Sequence, residues 1–553
     1  MAQIFLFILY ANNHTTEMKH DRLSLLLCLA LCLFASCREQ GPRQLTIVCT
    51  SDVHGNLFPY DFLTGDSAQG GLARVSSYLK ELRHEGREVV YLDGGDMLQG
   101  TPATYCYNTH AVGHQHVAAE ALNYLQCDAV VLGNNDIEPG GPTYQRYDDN
   151  LSCVVLGGNV YFEGTESPFL PPYTIIEREG VKVAVLGLIT PVIPHRIPKC
   201  QWQELYFADM EQAARRWMQH LKEHAAPDLV VGLFHSGYEG GVVTDDYAES
   251  ATRRVAEQVP GFDAIFYGHD HGARIAEVIN VEGDTVLLLN PGRDAMQVAT
   301  LDITWGKEGK HALSPSLVGM ENYAPDAEYM ATFTPQIERI NRYVNRTIAT
   351  STCSASMSEA LNGPSPLVDF MHSLQLRVTG ADISFAAPLV IDATLPEGEV
   401  TVRDIYRLYP YENTLYTLYL TGQEVKDYLE LSYDKWLTQK DALGAFLNFD
   451  SAAGIIYEVD TTKPMGQRVR IKRMADGDPF SMDARYMVAM NSYRAHGGGG
   501  LMTKGVGITH EELLRRVVYS TTADLRFYMI SHVEMQKTIT PMALNHWRFV
   551  PKK

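Results

Sequence analysis

A chain of 553 residues that is 45% hydrophobic and 20% charged has the composition of a globular protein and the length for two or three domains. Its formal net charge of −20 excludes a protein that tracks a nucleic-acid polymer, which needs basic surface. One small phosphate ester stays open, because bound cations can invert a local field.

In chain order, Lys19 and Arg22 precede the apolar stretch Leu23–Ala35. That stretch is too short to span a bilayer and has the length of a signal-peptide core. It ends in Phe34-Ala35-Ser36-Cys37, which resembles a bacterial lipoprotein signal. Residues 1–37 therefore read as an export segment with Cys37 as the lipidated residue, the alternative being plain secretion with Cys37 unmodified. The expected location is the bacterial periplasm or cell envelope, with membrane contact only through the lipid. Six cysteines remain beyond it, Cys49, Cys106, Cys127, Cys153, Cys200 and Cys353. No C-x-x-C pair is among them, which argues against a cysteine-based metal or redox site. Disulfides are possible in an exported chain, but spacing does not give their pairing.

After a polar tether over Arg38–Gln44 the chain alternates strand and helix. Leu45–Cys49, Val89–Leu92, Ala129–Leu132, Leu229–Phe234 and Ala264–Tyr267 are short apolar runs that read as buried strands. Gln69–Glu85 carries Leu72, Val75, Leu79 and Leu82 at helical spacing; further helices are predicted over His114–Leu125 and Glu204–His224. Val181–Ile189 and Thr285–Leu289 add two strands, the second followed by Asn290-Pro291-Gly292. This rhythm predicts an α/β sandwich. Trp305–Pro325 has turn-forming residues and little periodicity and is taken as a domain boundary. Thr334-Pro335 then reads as an N-cap with proline at the first helical position, followed by Ile337, Ile340 and Val344. The expected organisation is one domain over 45–310, a linker helix over 326–346 and a mixed α/β domain over 350–553.

Each of the five strands is followed by residues with metal-ligand chemistry: Asp52 and His54, Asp96, Asn134, His235, and His269 with His271. In an α/β sheet, ligands bind beyond the carboxyl ends of the strands. Asp and His donors suit Zn, Mn, Fe or Co better than an all-oxygen calcium cage. Seven donors exceed the needs of one catalytic zinc and fit two cations about 3.5–4 Å apart with one bridging carboxylate. Asp52 and His54, and likewise His269 and His271, are two apart, so an extended strand end would point each pair to one side.

This order of motifs resembles the calcineurin-like metallophosphatases, specifically the secreted 5′-nucleotidase and 2′,3′-cyclic-nucleotide phosphodiesterase family, from about Leu45 to the C-terminus. The resemblance implies two divalent metal ions, one held by Asp52, His54, Asp96 and His271, the other by Asp96, Asn134, His235 and His269. It implies in-line attack on phosphorus by a bridging hydroxide, and a nucleotide as the substrate. In the second domain, Ala381-Asp382-Ile383-Ser384 with Ala387-Pro388-Leu389 looks like the cyclic-phosphodiesterase branch. Tyr411 in Tyr409-Pro410-Tyr411-Glu412-Asn413 and Tyr493 in Asn491-Ser492-Tyr493-Arg494 match two loops whose aromatics sandwich the nucleobase in the family. The linker helix resembles the connecting helix of the family, whose members rotate one domain against the other; the alternative for this chain is a rigid strut.

One position departs from the pattern. The family reads Gly-Asn-His-Asp or Gly-Asn-His-Glu where this chain has Gly133-Asn134-Asn135-Asp136. Asn135 donates only a neutral hydrogen bond; charge-assisted bonds are roughly twice as strong, and general acid help is worth roughly 10²–10⁴-fold in rate. Hydrolysis with a poor leaving group is expected to be slowed unless His110, His114 or His116 substitutes. Two functions follow: a dimetal phosphoesterase acting on 5′-monophosphates or on 2′,3′-cyclic and 3′-nucleotides, or a nucleotide-binding surface protein with weakened catalysis.

Overall fold

A computed structural model describes residues 44–305, 311–439 and 444–550; the expected export segment and Cys37 lie outside the described residues. The N-terminal domain is built on two six-stranded sheets. In the first, Gln44–Thr50, Val89–Asp93, Ala129–Val131 and Val154–Leu156 run parallel, and Gln297–Trp305 and His311–Gly319 extend the edge antiparallel. In the second, Val181–Ile189, Leu229–His235, Ala264–Tyr267 and Thr285–Asn290 are parallel. Antiparallel strands Tyr173–Arg178 and Arg274–Ile279 close its two edges.

The unbroken apolar runs have a physical cause. Strand residues alternate sides, and here both sides are covered. Val231, Leu233, Ala264, Phe266, Leu287 and Leu289 join the core that also holds Ile47, Val90 and Val130 of the other sheet. The intervening Phe234, Ile265, Tyr267, Val286 and Leu288 pack against helices Met210–His224 and Thr252–Gln258. The sandwich expected from the sequence is thus sheet on sheet, with helices outside.

Three element readings change. Glu204–His224 begins as a strand, Leu205–Phe207, which pairs with Val160–Phe162; the helix starts at Met210, where the Asp209 side chain accepts from the Gln212 amide at 3.1 Å. His311–Gly319, read as turns, is an edge strand. One half-exposed face has little apolar content to betray it, and Pro315 is tolerated there. Thr334 is inside its helix, Thr334–Val344, with Phe333 as the cap: helix Ala327–Thr332 runs straight into it, and the Thr334 hydroxyl donates back to the Met330 carbonyl at 3.2 Å. The six cysteines are all free. Among the described residues no helix is long and apolar enough to cross a membrane.

The C-terminal domain centres on a five-stranded sheet in the order Ser451–Ala453, Ile383–Ala386, Arg485–Asn491, Thr414–Thr421, Val517–Asp524. A three-stranded sheet lies beside it, with Ile455–Asp460 between Val469–Met474 and Trp547–Val550. The two domains meet at the buried Arg526. Its guanidinium lies 4.3 Å from the ring centre of Tyr105, in the first domain, and 3.9 Å from that of Tyr406 in the second. It donates to the Pro410 carbonyl at 2.9 Å and pairs with Glu412 at 3.1 Å. The Tyr105 hydroxyl donates to Asp524 at 2.9 Å. Removing one partner of a buried ion pair strands the other charge, so Arg526→Met should lower stability by about 3–5 kcal/mol. The shift of the urea unfolding midpoint measures it; a loss under about 1 kcal/mol, the scale of an exposed pair, would remove Arg526 from this role.

Candidate metal centre

All five motifs sit at carboxyl ends of parallel strands, three from the first sheet and two from the second, and meet where the sheets face each other. The backbone that brings them there is not extended. Asp52, His54, Asp96, His269 and His271 have φ of 51°, 50°, 58°, 76° and 57°. Non-glycine residues rarely adopt this left-handed region, and each costs of order 1–3 kcal/mol. The side chains of Asp52 and His54 therefore converge because the chain turns sharply at each residue, and the turns at His269 and His271 send the first ring toward His235 and Glu249 and the second toward His54 and Asp52. The alternation of an extended strand, expected from their spacing, is not the cause.

Ligand atoms of Asp52, His54, Asp96 and His271 lie within 4.8 Å of one another. His54 Nε2 and His271 Nε2 are 3.0 Å apart, and His271 Nε2 is 3.5 Å from Asp52 Oδ1. Asp96 also reaches the other residues: its Oδ2 is 3.3 Å from His235 Nε2, and its Oδ1 accepts the Asn135 amide at 2.7 Å. The rings of His235 and His269 are 5.3 Å apart. Gly133, which precedes Asn134, has to be glycine: a Cβ there would fall on Asp96 Oδ1 and stand 2.6 Å from His235 Cε1.

The protons are already directed away from the cluster. His54 Nδ1–H donates to the Gln99 carbonyl at 3.0 Å and His235 Nδ1–H to the Gly94 carbonyl at 2.7 Å. Each ring therefore turns Nε2 toward the cluster, where it can serve as a donor once that nitrogen carries no proton. His235 Nε2 and Asn134 Oδ1 are both buried without a hydrogen-bond partner among the described residues. The Asn134 amide is turned by its own NH₂ group, which donates to Asn135 Oδ1 at 2.9 Å. Two buried carboxylates, imidazole lone pairs and an orphaned amide oxygen form a donor set that divalent cations fit. With no cation present, burial would lower His235, but the Asp96 carboxylate prevails and lifts it to about 10. Burial would raise Asp96, and His235 holds it below the usual carboxylate range.

Several supporting residues had no signal of their own in the sequence. Glu249 is buried, accepts from His269 Nε2 at 3.0 Å, from Arg196 Nη2 at 2.8 Å and from the Val242 amide at 2.7 Å. Burial works against its ionisation, yet His269 and Arg196 hold its carboxyl down to about 2. A carboxylate on the far nitrogen of a ligating histidine fixes the ring and leaves Nδ1 for a cation. Asp136 receives the amides of Asp96, Met97, Leu98 and Gly133, all at 2.8 Å, and so ties the Asp96 loop to the Asn134 loop. Asp270 accepts from Asn290 Nδ2 at 2.7 Å, which places the Asn290-Pro291-Gly292 segment beside the cluster.

Of the three histidines considered as substitutes, His116 is a buried structural group. Its ring accepts from the Ala118 amide at 3.2 Å and contacts Asn108 Oδ1 at 3.0 Å; burial pushes it down to about 3. His114 is exposed, and His110 packs on Tyr343 with 5.2 Å between rings.

Tyr411 and Tyr493 line one cavity of about 270 Å³, with Phe385, Leu389, Asn413 and Asn491. Both rings are about half exposed, 46% and 54%. A Cβ at Gly498 would stand 2.6 Å from the Tyr493 ring, so the glycine run lets that ring lie on backbone. Glu412, next to Tyr411, accepts from the Gly100 amide at 3.3 Å, and Gly100 packs directly on His54. The aromatic loop of the second domain is thereby joined to the rim of the metal cluster in the first.

Comparison with known proteins places this geometry. The calcineurin-like phosphoesterase family matches residues 45–273, and the 5′-nucleotidase C-terminal domain matches residues 347–505. The chain is 26% identical to the trifunctional nucleotide phosphoesterase protein YfkN of Bacillus subtilis over 92% of its own length, but spans 39% of that protein. It is 26% identical to a 2′,3′-cyclic-nucleotide 2′-phosphodiesterase/3′-nucleotidase of Haemophilus influenzae, covering 95% of this chain and 90% of that one. Among solved structures, the NAD nucleotidase of Haemophilus influenzae shares the fold with a TM-score of 0.61 at 19% identity, covering 92% and 99% of the two chains.

Glu249→Gln removes the charge that orients His269. Manganese affinity should fall about 10–100-fold, as read by calorimetric titration; unchanged affinity would show that His269 is held by packing alone.

Proposed function

Because this chain belongs to the calcineurin-like phosphoesterases that carry a 5′-nucleotidase C-terminal domain, we propose that it hydrolyses nucleotide phosphoesters with a pair of divalent cations. The substrate class is 5′-monophosphates or 2′,3′-cyclic and 3′-nucleotides, as in the names of its relatives. The observation that carries the reading is the cluster of Asp52, His54, Asp96 and His271, which Asp96 joins to His235. Asp52, His54, Asp96 and His271 would hold one cation, and Asp96, Asn134, His235 and His269 the other. When bound, zinc, manganese, cobalt or iron polarises phosphoryl oxygens and lowers the pKa of a water molecule.

The chain's own residues do the remaining work. The Gln99 and Gly94 carbonyls keep the protons of His54 and His235 on the outer nitrogens. Tyr411 and Tyr493 take the base by stacking, worth roughly 1–3 kcal/mol per base and tolerant of base identity. Glu412 and Gly100 set the distance between base and phosphate. Asn135 would meet the phosphoryl group with an amide whose nitrogen donates to no described residue. It offers that group a neutral hydrogen bond and cannot pass a proton to a departing alkoxide. The N-terminal segment supports export, with lipid on Cys37 as the anchor.

The direct test is phosphate release from 5′-AMP, 3′-AMP and 2′,3′-cyclic AMP by the purified chain with manganese or zinc, beside Asp96→Asn. Metal-dependent release that Asp96→Asn abolishes is the expected outcome; nucleotide binding with no release from any of the three would refute the assignment. Asn135→His should raise turnover of the nucleotide by up to roughly 10²–10⁴-fold and that of a p-nitrophenyl ester far less, because p-nitrophenolate leaves without a proton. Equal effects on both esters would remove leaving-group help from this position.

A further inference from the structure

A second cluster of donors lies in the C-terminal domain, away from the strand ends described above. Asp369 and His372 are one turn apart on helix Pro366–Thr379, so both project from the same face. His546 immediately precedes strand Trp547–Val550 at the end of the chain. Their ligand atoms lie within 4.8 Å of one another, and all three residues are buried, with exposures of 1%, 0% and 4%.

The cluster is unsatisfied as it stands. Asp369 Oδ2 accepts the Leu544 amide at 2.7 Å, but among the described residues Oδ1 has no hydrogen-bond partner, and neither has either nitrogen of His546. The nearest pair, His546 Nδ1 and Asp369 Oδ1, is 3.7 Å apart, beyond hydrogen-bond range. Among the described residues His546 is also the only ion-pair partner of Asp369. A buried carboxylate oxygen and a buried imidazole facing each other unbonded carry a desolvation penalty that some group should offset.

His372 is set to take part. The Ser384 hydroxyl donates to Gln375 Oε1 at 2.9 Å, so His372 Nδ1–H donates to the Ser384 oxygen, also at 2.9 Å. This fixes the tautomer and leaves Nε2 with its lone pair, met only by the Ser451 hydroxyl at 3.0 Å.

We propose that Asp369, His372 and His546 form a third divalent-cation site, of two imidazoles and one carboxylate, that fastens the C-terminal tail to helix Pro366–Thr379. Zinc suits the set: it takes histidine nitrogen and carboxylate oxygen, and three protein ligands leave one position for water. A cavity of about 350 Å³ has Asp369 in its wall, with Arg377, Met542 and Leu544 around it, and marks the side on which the cluster lies nearest to solvent-sized space. The site is independent of the phosphoesterase reading, because none of its ligands belongs to the first domain.

Hydrogen-exchange mass spectrometry on the full chain with and without zinc chloride reads the site locally. At zinc about 100-fold above the dissociation constant, opening of residues 366–379 and 543–550 should slow by about 100-fold. Asp369→Asn should lose that protection while zinc-dependent protection around Asp96 and His235 persists. Unchanged exchange in both segments of the unaltered chain, with protection appearing around Asp96, would overturn the proposal. Should Asp369→Asn not fold, anomalous diffraction at the zinc edge from the unaltered chain decides: a peak between Asp369 and His546 supports the site, and peaks confined to the first domain refute it.

Discussion

A buried negative charge shared between two sheets governs this structure. Asp96 is held in a seam where three strand ends of one sheet meet two of the other, and it touches groups from both. A carboxylate in that position is expensive to bury unless positive charge or several donors face it. Its neighbours meet the requirement in part. The Asn135 amide donates to it and backbone amides fix its loop through Asp136, while His54 and His235 turn Nε2 toward the space beside it. Lone pairs and carboxylates pointing at one another are a poor arrangement for a protein alone and a good one for cations.

That arrangement is held under strain. Five of the seven donors sit in left-handed backbone, which only an over-determined surrounding structure can maintain. The sheets supply it: every strand feeding the seam is apolar on both faces, so the strand ends have little freedom to relax. Outside the donors, a layer of acidic side chains closes the turns. Glu249 fixes His269, Asp270 fixes the Asn290 segment, and Asp136 joins two loops. An acidic chain thus spends part of its excess charge within the fold.

The second domain is tied to the first by a shared apolar core and by polar contacts across it. Arg526 lies between tyrosines of both domains, and Glu412 reaches the Gly100 amide beside His54. Both tie points flank the loop that carries Tyr411. The aromatic cavity and the candidate metal cluster are thereby linked through Glu412, which pairs with Arg526 and accepts from the Gly100 amide.

The order of strands and the residues that follow them were readable from the chain alone, because parallel strands buried on both faces must be continuous apolar runs and the donors come directly after them. The tyrosine loops were readable through their flanking residues, and the departure at Asn135 was visible at once. Other features were not. His311–Gly319 lacks the apolar signal of a buried strand, and Leu205–Phe207 is too short to stand apart from the helix after it. The convergence of Asp52 with His54 was expected from strand alternation and comes instead from left-handed turns, which no side-chain pattern encodes. Glu249, Arg526 and the cluster of Asp369, His372 and His546 are residues of common types at unremarkable positions. Their partners lie far away in sequence, and only packing brings those partners within hydrogen-bonding or ligating distance. Local chemistry and periodicity determined which elements form and which residues carry reactive groups; tertiary structure decided which of those groups share a dry, low-dielectric space, and there their charges and lone pairs acquire a function.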